Sequence, residues 1–390
     1  MSVRRVFSAV LVGGLVLGLS MIGWAQVDSS RIDEVIKKSV LGAQDFEIID
    51  AYVADAIGRL VRTIDFTEVA RTRASIVGHQ SAQAQYAQRF SEACLREITK
   101  GFDYANHEIS DPQRRFKVHA NLLILINELN DPRLIDVSIR MISHEAGAVR
   151  YWAVRAATSS ALWEKLGQDQ AVAASTARKI LDACNQTAQS SSAEILNLMA
   201  QFAGRFDTPQ ALELLGRIAD VRIKSYADWE VKYEIVDAGL LKVMGSKIAA
   251  GASGAQLARP FAQLYSFAIQ RYIRGTQSNV LKGLSRNYLA AVLLETEEQC
   301  LGKLLGGTQT GIRRALEAND LNALQAEHDR LLGGPSGKGV LAVKFGFTYA
   351  NNGAAPLALS DPRPDKTVVE PALPVETAES VEPAQDRKST

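Results

Sequence analysis

The residues best equipped for chemistry lie in one run, Tyr226-Ala227-Asp228-Trp229-Glu230-Val231-Lys232-Tyr233-Glu234. Three carboxylates, Asp228, Glu230 and Glu234, alternate there with the aromatic rings of Tyr226, Trp229 and Tyr233. On a helix, Glu230 and Glu234 stand one turn apart on the same face. Paired carboxylates beside aromatic platforms are the equipment of glycoside hydrolysis, in which one acid protonates the leaving oxygen and the other activates water or attacks. The plainer reading of the same residues is a helix start. Asp228 then serves as N-cap, and Glu230 and Glu234 face solvent near the positive end of the helix dipole. A second group, Arg150, Tyr151 and Arg155, falls off the packing line of its predicted helix, and exposed Tyr and Arg side chains are common interface anchors.

Other chemistries are poorly served. The histidines are His79, His107, His119, His144 and His328, and none stands three or four residues from another, so a helical His–His metal pair is absent. A Ser-His-Asp set needs no adjacency in sequence and stays open, although no GxSxG elbow is present. Cys94, Cys184 and Cys300 are far apart and form no CxxC, which suits buried small apolar residues with at most one disulfide among them. The Gly-rich stretch 333–339 invites a phosphate-loop reading through Gly337-Lys338. No Gly lies five positions before Gly337, and no Ser or Thr follows Lys338. No metal or cofactor is expected.

The elements that position these residues are read as helices throughout. Asn130-Asp131-Pro132 is a helix start, with Asp131 as cap and Pro132 at the first helical position. Leu134, Ile135, Val137, Ser138, Ile139, Met141 and Ile142 then fill an arc of roughly 200°, wider than an ordinary surface helix presents. Arg133, Asp136, Arg140 and Ser143 take the other side. The preceding helix carries Leu122-Leu123-Ile124-Leu125-Ile126, apolar all round. After a break at His144-Glu145-Ala146-Gly147, the positions Val149, Trp152, Ala153, Ala156, Ser160 and Trp163 recur at three- and four-residue steps. Helices of this kind need neighbours on more than one side.

The segment from Asp131-Pro132 to Ala157, with Val149-Arg150, Ala153 and Ala156-Ala157, resembles a HEAT repeat. A weaker copy centres on Arg115-Phe116-Lys117-Val118-His119-Ala120. The step from Val118 to Val149 is 31 residues, shorter than the ~40–47 of such units. The resemblance covers one unit well. It implies antiparallel helix pairs stacked into an α-solenoid that binds other proteins, and it brings no catalytic residues.

In chain order, Met1 to Ala25 reads as a secretory signal peptide, with Arg4 and Arg5, an apolar run to Ile22, and Gly23-Trp24-Ala25 before a cut at Gln26. An uncleaved anchor is the rival reading, and no second span follows. Removal of the two arginines takes the formal net charge from +1 to −1, which leaves no basic excess for nucleic acid. A helical region at 26–110, a helical-repeat region at 111–332, and a linker with a strand-like run (Val340 to Tyr349) at 333–350 follow. The stretch 351–390 has six prolines and no aromatic residue and reads as a disordered tail. The fold expectation is therefore all-α. The functional expectation is an exported, non-catalytic helical-repeat scaffold in the periplasm or outside the cell, whose partner is another exported or envelope protein. The alternative is an α/α-barrel enzyme acting on polysaccharide or cell-wall glycan through the Tyr226–Glu234 cluster.

Overall fold

The computed structural model describes residues 29–362. The expected signal peptide at 1–25 lies outside the described residues, as does the tail from 363 onward. The fold is all-α: among the described residues, the only strands are Gly333–Gly334 and Gly337–Lys338. The chain divides into two compact units, residues 1–125 and 126–390.

The first unit holds α1 (Ser29–Ile36), α2 (Ala43–Arg62), α3 (Phe66–Gly78), α4 (Ala84–Glu108) and most of α5 (Pro112–Leu129). Asp65 caps α3 as its sequence suggests, accepting the Thr67 N–H at 2.8 Å. The long helices α2 and α4 form the centre. Ile49, Val53, Ile57 and Leu60 on α2 are buried, as are Tyr86, Phe90, Ala93 and Ile98 on α4. The start of α4 is rich in Gln and Ala, and within it Tyr86 and Phe90 stack in the core with centroids 5.6 Å apart. Where α4 passes α2 and α5 most closely stands Gly101. A Cβ there would lie 3.2 Å from Val61 Cγ2 and 3.3 Å from Leu122 Cδ1.

The second unit begins within α5 and continues through α6 (Ile135–Met141), α7 (Gly147–Thr158), α8 (Ser160–Leu166), α9 (Gln170–Thr187), α10 (Ala193–Ala203), α11 (Pro209–Ala227) and α12 (Val236–Ala249). Then come α13 (Ala258–Gln277), α14 (Gly283–Thr296), α15 (Gly302–Leu305), α16 (Gly311–Glu317), α17 (Leu321–Leu332) and α18 (Val340–Phe345). Asp131 caps the 3-10 turn that leads into α6, accepting the Arg133 N–H at 3.0 Å. Leu134, Ile135, Val137, Ser138 and Ile142 are buried while Arg133, Asp136 and Arg140 are exposed, which is the wide arc expected. The single helix expected across 149–163 breaks at Ser159, so α7 and α8 are separate and Trp152 is only half-buried.

Packing in this unit is dense around α13. It touches α11, α12, α14, α17 and α18, and every residue from Phe261 to Ile273 is buried. A π-helical turn at Glu297–Leu301 extends α14 and turns Glu297 inward. The Glu297 carboxylate, 1% exposed, accepts the N–H groups of Ile312 (2.7 Å) and Arg313 (2.9 Å) and so caps α16 from a distance.

The run Val340 to Tyr349 is not a strand. Leu341 and Ala342 are buried side by side while Val340 and Val343 are exposed, a helical rather than an alternating pattern. The glycine-rich linker folds into a two-residue hairpin, Gly333 opposite Lys338 and Gly334 opposite Gly337. Within the stretch read as a tail, Leu357, Leu359 and Asp361 are hydrogen-bonded to α13.

Replacing Gly101 by Leu should lower the unfolding free energy by about 1–3 kcal/mol, read as a reduced urea midpoint, because Val61 and Leu122 must shift to admit even its Cβ.

Candidate functional site

The expected acid and aromatic cluster is not a helix start. α11 ends at Ala227, so Asp228 is a C-cap and not an N-cap. The Trp229 N–H bonds to Tyr226 O at 3.0 Å and the Glu230 N–H to Ser225 O at 2.9 Å, a Schellman closure. Trp229 (φ 59°) and Tyr233 (φ 54°) both adopt the left-handed conformation usually left to glycine. The chain stays irregular until α12 begins at Val236, so Glu230 and Glu234 are not a helical pair.

Burial separates the carboxylates further. Glu234 is 4% exposed and accepts Arg271 Nη2 at 3.0 Å. The Arg271 guanidinium lies 5.1 Å from the Trp229 ring centroid, a cation–π stack. Its Nε and Nη1 have no hydrogen-bond partner among the described residues. Asp237, absent from the expected set, is the centre of the neighbouring pair. It accepts Arg222 Nε at 2.6 Å, Arg222 Nη2 at 2.8 Å and the Tyr226 hydroxyl at 2.8 Å. Burial, reinforced by the Asp237 carboxylate, raises the Tyr226 hydroxyl well above its usual 10.0. Arg222 Nη2 also reaches Lys232 O at 3.2 Å, tying the loop to α11. Glu234 is thus committed to an ion pair, while Asp228 and Glu230 are exposed and line an open polar cleft of about 860 Å³ with Arg217, Lys224 and Ser225. Acids and bases alternate around that cleft, and the Glu230/Glu234 pair needed for glycoside chemistry is not assembled.

The most specific arrangement of polar groups lies one helix away, on α13. Gln263, Ser266 and Gln270 share one face at steps of three and four residues, in the middle of the buried helix. Residues 357–361 lie along that face. Gln263 Oε1 accepts the Leu357 N–H at 2.9 Å, and Gln263 Nε2 donates to Leu357 O at 3.4 Å. Gln270 Nε2 donates to the same oxygen at 3.0 Å, and its Oε1 accepts the Leu359 N–H at 2.7 Å. Trp229 Nε1 donates to Ser360 O at 2.9 Å, and Arg274 Nη1 to Asp361 Oδ1 at 2.7 Å. The segment has no helix or strand of its own, and its partners on α13 run from Gln263 to Arg274. Five of these six bonds go to backbone groups, which any residue type presents.

Beneath the segment lies the Ser-His-Asp set left open by the sequence. Ser266 Oγ is 2.8 Å from His328 Nε2, and His328 Nδ1 is 2.8 Å from Asp329 Oδ1. The connectivity matches that of a nucleophilic triad. Ser266, however, is fully buried, and its Oγ already accepts Gln270 Nε2 at 2.8 Å. The N–H groups around it belong to a helix interior and are spent on the helix ladder. What the chain of bonds visibly accomplishes is to fix the amide of Gln270. Burial lowers His328 below its usual 6.5, against the opposing pull of Asp329.

The remaining expected residues fall elsewhere. Arg150 is bound to Ser190, Nη1 to Oγ at 2.8 Å and Nη2 to the carbonyl at 2.6 Å. Arg155 donates to the Tyr151 hydroxyl at 2.8 Å and lies 5.3 Å from the Trp152 ring, making a compact surface cluster on α7. Cys94, Cys184 and Cys300 are buried and form no disulfide, with the Cys184 thiol pushed up to about 12 by burial. No group of three or more potential metal ligands occurs among the described residues.

No family model, no curated protein and no solved structure matches this chain.

Two outcomes follow from the buried groups. Asp237→Ala strands the Arg222 charge and should cost about 3–5 kcal/mol, whereas Tyr226→Phe should cost about 1 kcal/mol, both read by urea unfolding. Because His328 has a lower pKa folded than unfolded, its contribution is complete above pH 6.5 and declines as the pH falls below that value. Stability measured between pH 7.5 and 5.5 should therefore fall less steeply in His328→Gln than in the wild type.

Proposed function

We propose that this chain is an exported, non-catalytic helical-repeat scaffold that mediates protein–protein interaction in the cell envelope. The observation that carries the reading is the α13 face, where two glutamine amides, with the Trp229 indole N–H beside them, grip the backbone of residues 357–360. Such a surface recognises polypeptide by its main chain, as sheet edges do in strand addition. Stacked helix pairs of the HEAT kind supply long faces suited to that role. The signal-like residues Arg4, Arg5 and Val6 to Ala25 support export, and the partner is then another exported or envelope protein. The Arg155, Tyr151 and Trp152 cluster on α7 is a second, smaller contact surface.

A photoreactive residue placed in turn at Arg133, Tyr151, Arg155, Lys224, Tyr288 and the exposed Leu357 of the full chain should test this in the native envelope. A protein adduct of one discrete mass is expected at one position or at spatial neighbours, with the other positions silent. Absence of any adduct, or the same diffuse adducts at every position, would remove the scaffold reading.

A further inference from the structure

We infer that the α13 face is a binding site for an extended segment of a partner protein, and that residues 357–361 are its resident occupant, held in cis. The inference rests on the scaffold reading and names its ligand chemistry: an apolar residue followed two positions later by a carboxylate. That pattern is set by the occupant. Among residues 357–361, Leu359 alone is buried, and the Asp361 carboxylate meets Arg274. Leu357, Ala358 and Ser360 turn their side chains outward and are held by nothing specific to their identity.

Three observations point to exchange with a second polypeptide. First, the grip is on main-chain atoms, so a foreign segment can reproduce every contact of Leu357 and Leu359. Second, one of the gripping amides is set independently of its occupant, because Gln270 Nε2 is bonded to Ser266 Oγ, which His328 and Asp329 hold in turn. A pre-organised donor spends no ordering entropy on each new ligand. Third, the groove continues past the resident segment. An open cleft of about 610 Å³, lined by Leu212, Leu257, Gln263, Tyr349 and Leu357, adjoins its start. The chain itself turns away there, with the Tyr349 N–H closing onto Gly353 O at 3.1 Å. A longer segment arriving from elsewhere has space in this cleft that the resident does not use.

The test uses the full chain and a fluorescein-labelled peptide copying residues 354–362. In the wild type the peptide must displace a tethered competitor, so hydrogen–deuterium exchange at Leu357 and Leu359 should rise as peptide is added. Leu359→Asp in the chain removes the resident's anchor, and peptide affinity should tighten by roughly tenfold or more as the tethered competitor is lost. Adding Gln270→Ala to that variant should abolish the gain, and a peptide carrying the Leu359→Asp change should not bind. Circular dichroism, together with exchange across α11 and α12, reports whether each variant is folded. A folded Leu359→Asp chain that binds no more tightly than the wild type overturns the inference, as does binding indifferent to Gln270. If Leu359→Asp does not fold, the wild type decides: unchanged exchange at Leu357 and Leu359 in millimolar peptide overturns it. A discrete crosslink at Tyr151 or Arg155 with Leu357 silent leaves the scaffold reading standing while this inference fails, so the two failures are told apart.

Discussion

The second unit depends on the enclosure of α13. Every residue from Phe261 to Ile273 is buried, and that stretch includes Gln263, Ser266, Gln270 and Arg271. A polar group removed from water without a partner costs a large part of a domain's net stability. Each of these side chains therefore constrains a neighbour. Arg271 takes Glu234 from the loop before α12, Ser266 takes His328 from α17, and the two glutamines take the backbone of residues 357–359. Elements far apart in the chain are brought to one helix by its need for hydrogen-bond partners.

The same constraint explains the strained loop between α11 and α12. A helix end of this form normally places glycine at the left-handed position, and here it is Trp229. The indole contributes what glycine lacks: a face for Arg271 and an N–H for Ser360. Buried pairs at Arg222–Asp237 and Arg271–Glu234 hold the loop in that conformation from both ends. Buried ion pairs contribute little net stability because desolvation offsets their attraction, yet removing one partner is costly. Their effect here is on geometry, since Glu234 at the end of the loop and Asp237 in the first turn of α12 are each held by a buried arginine.

The Ser266, His328 and Asp329 arrangement shows how little hydrogen-bond connectivity says about chemistry taken alone. The distances are those of a catalytic set, but the serine is closed in and already occupied by Gln270. The network instead fixes the amide of Gln270, which holds the backbone of Leu357 and Leu359. A fully satisfied buried polar network specifies one arrangement of side chains.

Much of the fold was legible from periodicity. The cap-and-proline start at Asp131-Pro132 and the wide apolar arc that follows depend on neighbours within a turn or two, and they appear as read. The misreadings share one cause. Asp228 looks like an N-cap because Asp is among the preferred N-cap residues, and only the Trp229 and Glu230 backbone bonds reveal a helix end there. The run Val340 to Phe345 is apolar enough for a strand or a helix, and its docking beside α13 and α17 goes with the helix. Gln263, Ser266 and Gln270 stand at helical spacing on one face, a signal present in the sequence, but such a stripe ordinarily means solvent. By itself, then, the sequence determined the all-α class and many of the helices, because helix formation is governed by local spacing and caps. Which polar residues are buried, and the capture of residues 357–361 by α13, were decided by tertiary structure alone, because both follow from contacts between separate elements, from 15 residues apart at Arg222–Asp237 to 94 at Gln263–Leu357.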